Sequence, residues 1–459
     1  MMSLRGPRRV AILGAGIGGL AAAHHLTVRA AERGEPLEVV VLEASDRPGG
    51  WLATERCEGA LLERGPDTLV THKPAAIELC KRLGLGDRLA FKPAGRIDIL
   101  DAGRLLPLPA GFALVVPTRV RPVLASPLLS WRGKLRALAE PWVKPRAGGL
   151  SDESVASYVR RRFGEELHRR ICEPVVGGLF MADTEELSLA ASFPRLVDLE
   201  HRRGPARPSG SPGPPAATLD GGLGQIVSAL VDRLPAGSLR LGQRVQGVSR
   251  EGSTFLIYKD AEPPLAADVV LLALPTPAAA ALVAGLDPGL AGELGQISYA
   301  SAVTVHLAWT PRAVERPPQF HGFFVPRTAS SPVVAASFVS VKYPERVPED
   351  QVVVRVFLGG ALHPEAIGRT DAELVDLSAS LLAPLLGLRE PPAWSRVWRH
   401  PASMPQRRVG HPALVARLRG RLAAHSGLEF AGGPLGAYGL SDSIAEGEAA
   451  AERLLGSFC

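Results

Sequence analysis

The run Gly14-Ala15-Gly16-Ile17-Gly18-Gly19 constrains this chain more than any other feature. It follows a short apolar stretch, residues 9–13, and opens an alanine- and leucine-rich stretch, residues 17–29, that reads as a helix. In such a loop the first glycine permits a tight turn. The second lets backbone approach a pyrophosphate, and the third lets the helix pack closely on the strand. The helix N-terminus adds unpaired N–H groups and the positive end of a dipole. Residues 37–42 (LEVVVL) form a continuous apolar run, as a parallel strand covered on both faces does. Glu43 ends that run, 24 positions after Gly19, where a carboxylate suits a ribose 2′-hydroxyl. Strand, glycine turn, helix, strand and terminal acid fall in one register, which predicts a Rossmann βαβ unit holding a dinucleotide.

Alone, the unit does not separate NAD from FAD. Glu43 would repel a 2′-phosphate, which disfavours an NADP-type ligand. A second glycine fingerprint after a strand does not occur elsewhere in the sequence, so no NAD(P)H site is expected.

Of the 459 residues 46% are hydrophobic, enough for a large core and against disorder of the whole chain. The net charge is +6, from 52 basic and 46 acidic residues. The arginines are scattered and aromatics make up only 5%, so nucleic acid is not an expected partner. An anionic membrane surface and an anionic substrate both stay open. Cys57, Cys80, Cys172 and Cys459 form no CxxC pair, which fits a reducing compartment. No metal-ligand spacing appears, and His24 and His25 read as structural. The apolar stretch 269–286 is split by Pro275 and Pro277, so a strand and then a helix are expected there, not a membrane span.

Between 96 and 203 proline, leucine and arginine dominate, with helical patterns around 133–140 and 152–170. This reads as a mostly helical insertion. Residues 204–215 (GPARPSGSPGPP) read as a mobile surface loop. A helix is expected over 222–234 and strands over 238–248, 254–258 and 267–274. Residues 301–308, 333–340 and 351–358 alternate as a second sheet would. A short strand at 429–433 and a helix over 444–455 close the chain.

Further segments carry a family resemblance. Arg47-Pro48-Gly49-Gly50-Trp51 and Glu63-Arg64-Gly65-Pro66-Asp67-Thr68 resemble the segments that follow the βαβ unit in flavoproteins. Gly178-Leu-Phe180-Met181-Ala-Asp183 with Leu187-Ser188 and Phe193-Pro194, Phe320-His-Gly322-Phe-Phe324-Val-Pro326, Arg355-Val-Phe357-Leu-Gly359-Gly360 and Met404-Pro405-Gln406 with Gly410-His411 resemble a narrower set. So does Gly432-Gly433-Pro-Leu-Gly436-Ala-Tyr438-Gly439-Leu440-Ser-Asp442. Together they resemble the oxygen-dependent protoporphyrinogen IX oxidases of the flavin amine oxidase superfamily, along almost the whole chain. Asp67, Ala182, Arg407 and Pro412 depart from that family's pattern, where Asn, Gly, Tyr and Trp stand.

The resemblance implies an α/β fold with α+β parts. A discontinuous, glutathione-reductase-like FAD-binding domain would comprise 1–75, 218–285 and 395–459. A mixed-sheet substrate domain would comprise 76–95 and 286–394, and a helical, membrane-associated domain 96–217. FAD would be held by Gly14, Ala15, Gly16, Ile17, Gly18 and Gly19, by Glu43, Ala44, Arg47, Gly50 and Trp51, and by Gly65, Pro66, Asp67 and Thr68. Val245 would lie by the adenine, and Gly433, Tyr438, Gly439 and Leu440 by the flavin ring. Gly322, Phe324 and Phe357 would flank the tetrapyrrole and Arg96 would hold a propionate. Phe180 and Met181 are further pocket candidates.

The implied reaction is the six-electron oxidation of protoporphyrinogen IX to protoporphyrin IX in haem synthesis, with oxygen as acceptor and hydrogen peroxide as product. The flavin supplies the chemistry, and no acid–base residue is singled out. Coproporphyrinogen III oxidation is the nearest alternative. Another amine oxidase or desaturase, or a non-catalytic FAD scaffold, follows. A cytoplasmic enzyme lying on the inner face of the cell membrane is implied, with residues 115–142 as the lipid-facing segment. An ordinary packing face explains that segment equally well, and a homodimer stays open.

Overall fold

The structure, a computed structural model, describes residues 7–93, 95–113, 116–146, 152–201, 216–260, 262–435 and 439–456. The low-complexity stretch 204–215, Val115, Gly436, Tyr438 and Cys459 lie outside the described residues.

The N-terminal unit forms as the sequence predicts. β1 (Arg8–Leu13) and β2 (Leu37–Leu42) pair in parallel, with α1 (Ile17–Arg33) crossing between them. Strand side chains alternate between faces. Val10, Ile12, Val39 and Val41 enter one core with Leu20 and Leu26 of α1. Ala11, Leu13, Val40 and Leu42 enter the opposite core. Both faces are covered, which is why these strands read as unbroken apolar runs. α1 runs a turn beyond its expected end and stops at Gly34, which takes the left-handed conformation of a helix C-cap at φ 66°.

Three strands from distant parts of the chain complete this sheet. Val269–Leu272 lies beside β1, Leu428–Phe430 beside that, and Leu239–Arg240 beside β2, all parallel. Val269–Leu272 is followed by a helix at Thr276–Val283, so the stretch 269–286 is a strand and a helix. The closing helix, Leu440–Gly456, packs on α1. There the absent Cβ of Gly447 would lie 2.2 Å from the Gly18 carbonyl. An antiparallel meander, Val245–Glu251, Thr254–Lys259 and Glu262–Ala267, flanks the sheet.

A second, seven-stranded sheet runs in the order Trp394–Pro405, Tyr299–Trp309, Val352–Gly359, Val333–Phe338, Gly322–Phe324, Ile97–Asp101, Arg104–Pro107. Its pairs are antiparallel except Gly322–Phe324 with Ile97–Asp101. Helices between Val155 and His201 cover the face that carries Ile99, Phe324, Ala335 and Phe357. Helix Asp371–Leu386 covers the face that carries Phe323, Val354 and Leu358. That helix is bounded by a Thr370–Glu373 capping box and by Gly387 at φ 62°.

Three expected boundaries move. Residues 97–107 are a hairpin of this sheet, not helix. Its two-residue turn places Ala102 at φ 45° and Gly103 at φ 78°, a left-handed pair of the kind tight hairpins use. Trp394–Pro405 belongs to the same sheet, so a domain seam at 395 falls at the start of a strand. Helix Ala75–Arg82 packs on the first sheet through Ala76, Ile77, Leu79 and Cys80, not on the second. Among the described residues no helix is long and apolar enough to cross a membrane.

Candidate cofactor and substrate site

The loop glycines differ in what requires them. Gly14 has φ 104°, and a Cβ there would lie 2.5 Å from the Ala273 carbonyl oxygen. At Gly19 a Cβ would lie 2.1 Å from the Gly14 oxygen. Internal packing therefore demands both. Gly16 has an ordinary extended backbone, φ −65° and ψ 172°, and a Cβ there would meet nothing within 4 Å. No contact within the protein asks for glycine at that place. What glycine leaves there is open space at the N-terminus of α1, the cradle a pyrophosphate needs. The residues present thus fit an FAD.

The carboxylate of Glu43 organises the next part. Its Oε2 accepts from the Ala15 N–H at 2.8 Å, and its Oε1 accepts from the Ser45 N–H at 2.9 Å and the Ser45 hydroxyl at 2.7 Å. A carboxylate has about four acceptor sites, which leaves room for a ribose hydroxyl. Ala44 beside it is exposed. The Gln243 N–H donates to the Glu43 carbonyl at 2.8 Å, and this brings Val245 alongside. Those contacts suit an adenosine end of the cofactor.

From the cradle a groove leads along Gly49, Gly50 and Trp51. The Gly49 N–H donates to the Ala15 carbonyl at 2.8 Å, and a Cβ on Gly50 would sit 3.5 Å from the Gly16 Cα. Arg47 closes this turn on itself by donating to the Gly50 carbonyl at 2.7 Å. Trp51 meets His400 edge to face, at 5.2 Å between ring centroids. A Cβ on Gly65 would stand 2.1 Å from the Trp51 carbonyl, so loop 65–68 lies directly against this groove.

Asp67 is the electrostatic centre of that loop. Lys342 Nζ donates to its two carboxylate oxygens at 2.9 and 3.0 Å, the Thr68 hydroxyl donates at 2.7 Å, and Arg355 approaches to 3.9 Å. Burial opposes ionisation of Asp67, but Lys342 and Arg355 outweigh it and hold the carboxyl well below its ordinary range. Arg355 also donates to the carbonyls of Arg64 and Gly65, at 3.0 and 2.7 Å, and stacks 4.6 Å from the Phe357 ring. Two imidazoles lie behind it. Burial, and then Arg355, keep His306 neutral and lower His400 to about 4.

Arg407 stands buried where the family pattern has Tyr. It donates to the carbonyls of Ala191 and Gly433, at 3.1 and 2.6 Å, and so ties the helical layer to the C-terminal loop. Pro412 occupies the first turn of helix His411–Ala423, where it costs no hydrogen bond. Gly439 takes φ 90° just ahead of the closing helix, whose first residue, Leu440, is buried in the first core.

Gly322, Phe324 and Phe357 come together on one sheet. Phe324 pairs with Ala335 and Ala335 with Phe357, so both rings face the helical layer. A small open pocket lies beside them. Met181, Val325, Pro326, Val333, Arg327 and His363 line it, among others. Met181, one of these lining residues, holds a left-handed backbone, φ 51°, unusual outside glycine, and its carbonyl accepts from the Ala361 N–H at 2.9 Å. Phe180 turns the other way and packs edge to face on Phe193 at 5.6 Å.

Arg96 is engaged within the protein. Its Nε and Nη2 both donate to the buried Asp98 carboxylate, at 2.7 and 2.6 Å, and it lies 5.0 Å from the Phe320 ring. A guanidinium whose fork already holds a carboxylate is largely neutralised, which disagrees with a propionate clamp.

The expected contacts omitted Lys342, Arg355, His306 and His400. Their signal was present: Arg355 and His306 each stand in the middle of an otherwise apolar strand, where a polar group needs a partner.

Comparison with known proteins accords with this geometry. The model for flavin containing amine oxidoreductases matches residues 17–455. The chain is 30% identical to coproporphyrinogen III oxidase of Bacillus subtilis (strain 168), over 98% of both chains. It is 33% identical to that of Propionibacterium freudenreichii, over 97% of this chain and 90% of the other. Human protoporphyrinogen oxidase is 31% identical, over 98% and 99%. A crystal structure from Exiguobacterium sp. 255-15, provisionally named a protoporphyrinogen oxidase, superposes with a TM-score of 0.85 at 28% identity over 99% of each chain. The chain belongs to the flavin-containing amine oxidoreductase family and is an FAD-dependent oxidase.

Proposed function

We propose that this oxidase acts on a porphyrinogen, with coproporphyrinogen III as the preferred substrate and oxygen as acceptor. The observation that carries the reading is the pocket beside Phe324 and Phe357, where Met181, Val325 and Val333 stand with Arg327, His363 and Glu173. A porphyrinogen is apolar over its ring and anionic at its edge, and such a pocket meets both needs. Two relatives that match over most of their length are named coproporphyrinogen III oxidases, and the human relative supports the two-propionate alternative.

FAD, when bound, supplies the two-electron acceptor; the protein supplies position. In this reading Gly14, Ala15, Gly16, Ile17, Gly18, Gly19, Glu43 and Val245 hold the dinucleotide. Gly50, Trp51 and loop 65–68 hold the ring end, and Phe324, Phe357 and Met181 set the substrate plane against it. The Met181 carbonyl, tied to the Ala361 N–H, keeps that wall in place. Residues 406–435 close the far side through Arg407.

The test is aerobic turnover of each porphyrinogen by the purified holoenzyme, read by porphyrin fluorescence and hydrogen peroxide. A kcat/KM for coproporphyrinogen about tenfold above that for protoporphyrinogen is expected, a difference of about 1.4 kcal/mol. The reverse preference would select protoporphyrinogen. Absence of turnover and of anaerobic flavin bleaching with both would leave an FAD-binding scaffold.

Peripheral attachment to anionic lipid is part of the same proposal. Trp131 is 70% exposed, Leu135 64% and Trp142 82%, and Arg132, Lys134 and Lys144 stand among them. Aromatic and aliphatic side chains mixed with cations suit a headgroup interface. Flotation with phosphatidylglycerol-rich vesicles at low salt is expected to carry the protein, and Trp131→Ser/Trp142→Ser to abolish it. Failure of the unaltered chain to float would end the proposal.

A further inference from the structure

A second open pocket adjoins the first across Pro326, which lines both. Its lining is mostly polar: Asp101, Arg169, Arg170 and Thr328 stand beside the buried Ile99, Leu100 and Leu128. Strand Ile97–Asp101 forms part of this wall and pairs with Gly322–Phe324, which leads into the first pocket. The two pockets are therefore neighbours at one end of one sheet.

Local geometry explains how consecutive arginines line one pocket. His168–Cys172 is a single π-helical turn, inserted between helical segments Glu165–Leu167 and Glu173–Phe180. An i→i+5 turn is wider than the 3.6-residue turn of an α-helix, so neighbouring side chains diverge less. Such turns cluster at functional positions. Arg170 is anchored: its Nη1 donates to the Leu128 carbonyl at 3.2 Å and lies 3.4 Å from the Asp101 carboxylate. Arg169 is exposed and, among the described residues, has no hydrogen bond or ion pair. An exposed arginine is ordinarily just solvated. Here it lines a cleft next to the candidate porphyrinogen pocket, beside a second guanidinium fixed in place.

We propose that Arg169, oriented by the turn that Arg170 anchors, forms a carboxylate subsite that distinguishes a four-carboxylate porphyrinogen from a two-carboxylate one. This rests on the porphyrinogen reading. A guanidinium can take a carboxylate in two parallel hydrogen bonds. The two-carboxylate ring carries a vinyl group where the other carries the extra propionate, and gains nothing from Arg169.

The test compares Arg169→Ala and Arg169→Lys with the unaltered holoenzyme, at equal FAD content. With Arg169→Ala the KM for coproporphyrinogen is expected to rise about tenfold with kcat within about twofold, the size of one lost charge-assisted pair. The KM for protoporphyrinogen should stay within about twofold, and Arg169→Lys should recover part of the loss. Titration of the oxidised holoenzyme with coproporphyrin and protoporphyrin, followed by tryptophan quenching, reads the subsite without turnover. Selective loss of coproporphyrin binding supports it even if neither porphyrinogen is oxidised, an outcome that would overturn the oxidase reading alone. Equal changes for both ligands, or none for either, overturn the subsite.

Discussion

Replacing Gly16 with valine is expected to give a folded chain that retains no FAD. The backbone at Gly16 is extended, so a β-branched residue fits it without strain. Nothing within the protein lies within 4 Å of the added Cβ, so the fold has no reason to resist. That open volume faces the N-terminal turn of α1, where the pyrophosphate is proposed to sit. Valine would therefore clash with the ligand and not with the protein. FAD affinity should fall at least about 100-fold, about 2.7 kcal/mol, while the thermal midpoint matches that of the apoprotein. The comparison must be apo with apo, because bound FAD itself raises the midpoint. Gly19→Ala is the contrasting case. Its Cβ would meet the Gly14 carbonyl at 2.1 Å, so overpacking should cost about 1–3 kcal/mol in the apoprotein itself. Flavin absorbance and a thermal melt of each apoprotein separate the two. A Gly16→Val protein that purifies with stoichiometric flavin would overturn this account of the cradle, and so would one that fails to fold.

The contrast between Gly16 and loop 65–68 also explains what could be read from the sequence. The cradle is local. Strand, turn, helix and second strand lie within 43 consecutive residues, and each carries its own periodic or glycine signal. The strand at 37–42 was legible for the same reason, whereas residues 238–248, expected as one strand, divide into Leu239–Arg240 of the parallel sheet and Val245–Glu251 of the meander. The hairpin at 97–107 was not legible, because leucine, proline and arginine around it read as an amphipathic helical region. Its turn is marked only by Ala102-Gly103. The Asp67 cluster was less legible still. Lys342 is 275 positions away in sequence and Arg355 is 288, and no local pattern reports a pairing at that distance. Arg96 shows the converse case. Its family position suggested a propionate ligand, while Asp98, two residues on, takes its hydrogen-bonding fork.

Asp67 carries the second large effect. The family pattern has Asn there, so Asp67→Asn looks conservative, and in this chain it is expected to be severe. Asp67 answers two cations, Lys342 at 2.9 Å and Arg355 at 3.9 Å. Arg355 is buried, 3% exposed, and cannot move to solvent for a new counter-charge. Removing one partner of a buried charge cluster typically costs about 3–5 kcal/mol, because the partner left behind stays desolvated. Lys342 can relieve part of this, since it is partly exposed. The expected readout is a lower urea midpoint at unchanged slope in the apoprotein. Combining Asp67→Asn with Lys342→Met should recover part of the loss, a non-additivity that a purely local effect would not show. The pH dependence has a defined sign. The folded carboxyl titrates below its unfolded value of about 3.9, so its contribution is complete above that value and fades as pH falls further. The difference between unaltered and Asp67→Asn protein should thus be full at pH 7 and shrink below about pH 4. If the two proteins keep the same stability difference from pH 7 to pH 3, the ion cluster is not what holds loop 65–68. Its geometry would then rest on the Arg355 bonds to the carbonyls of Arg64 and Gly65 and on the Thr218 and Tyr343 hydroxyls, which donate to the Asp67 carbonyl.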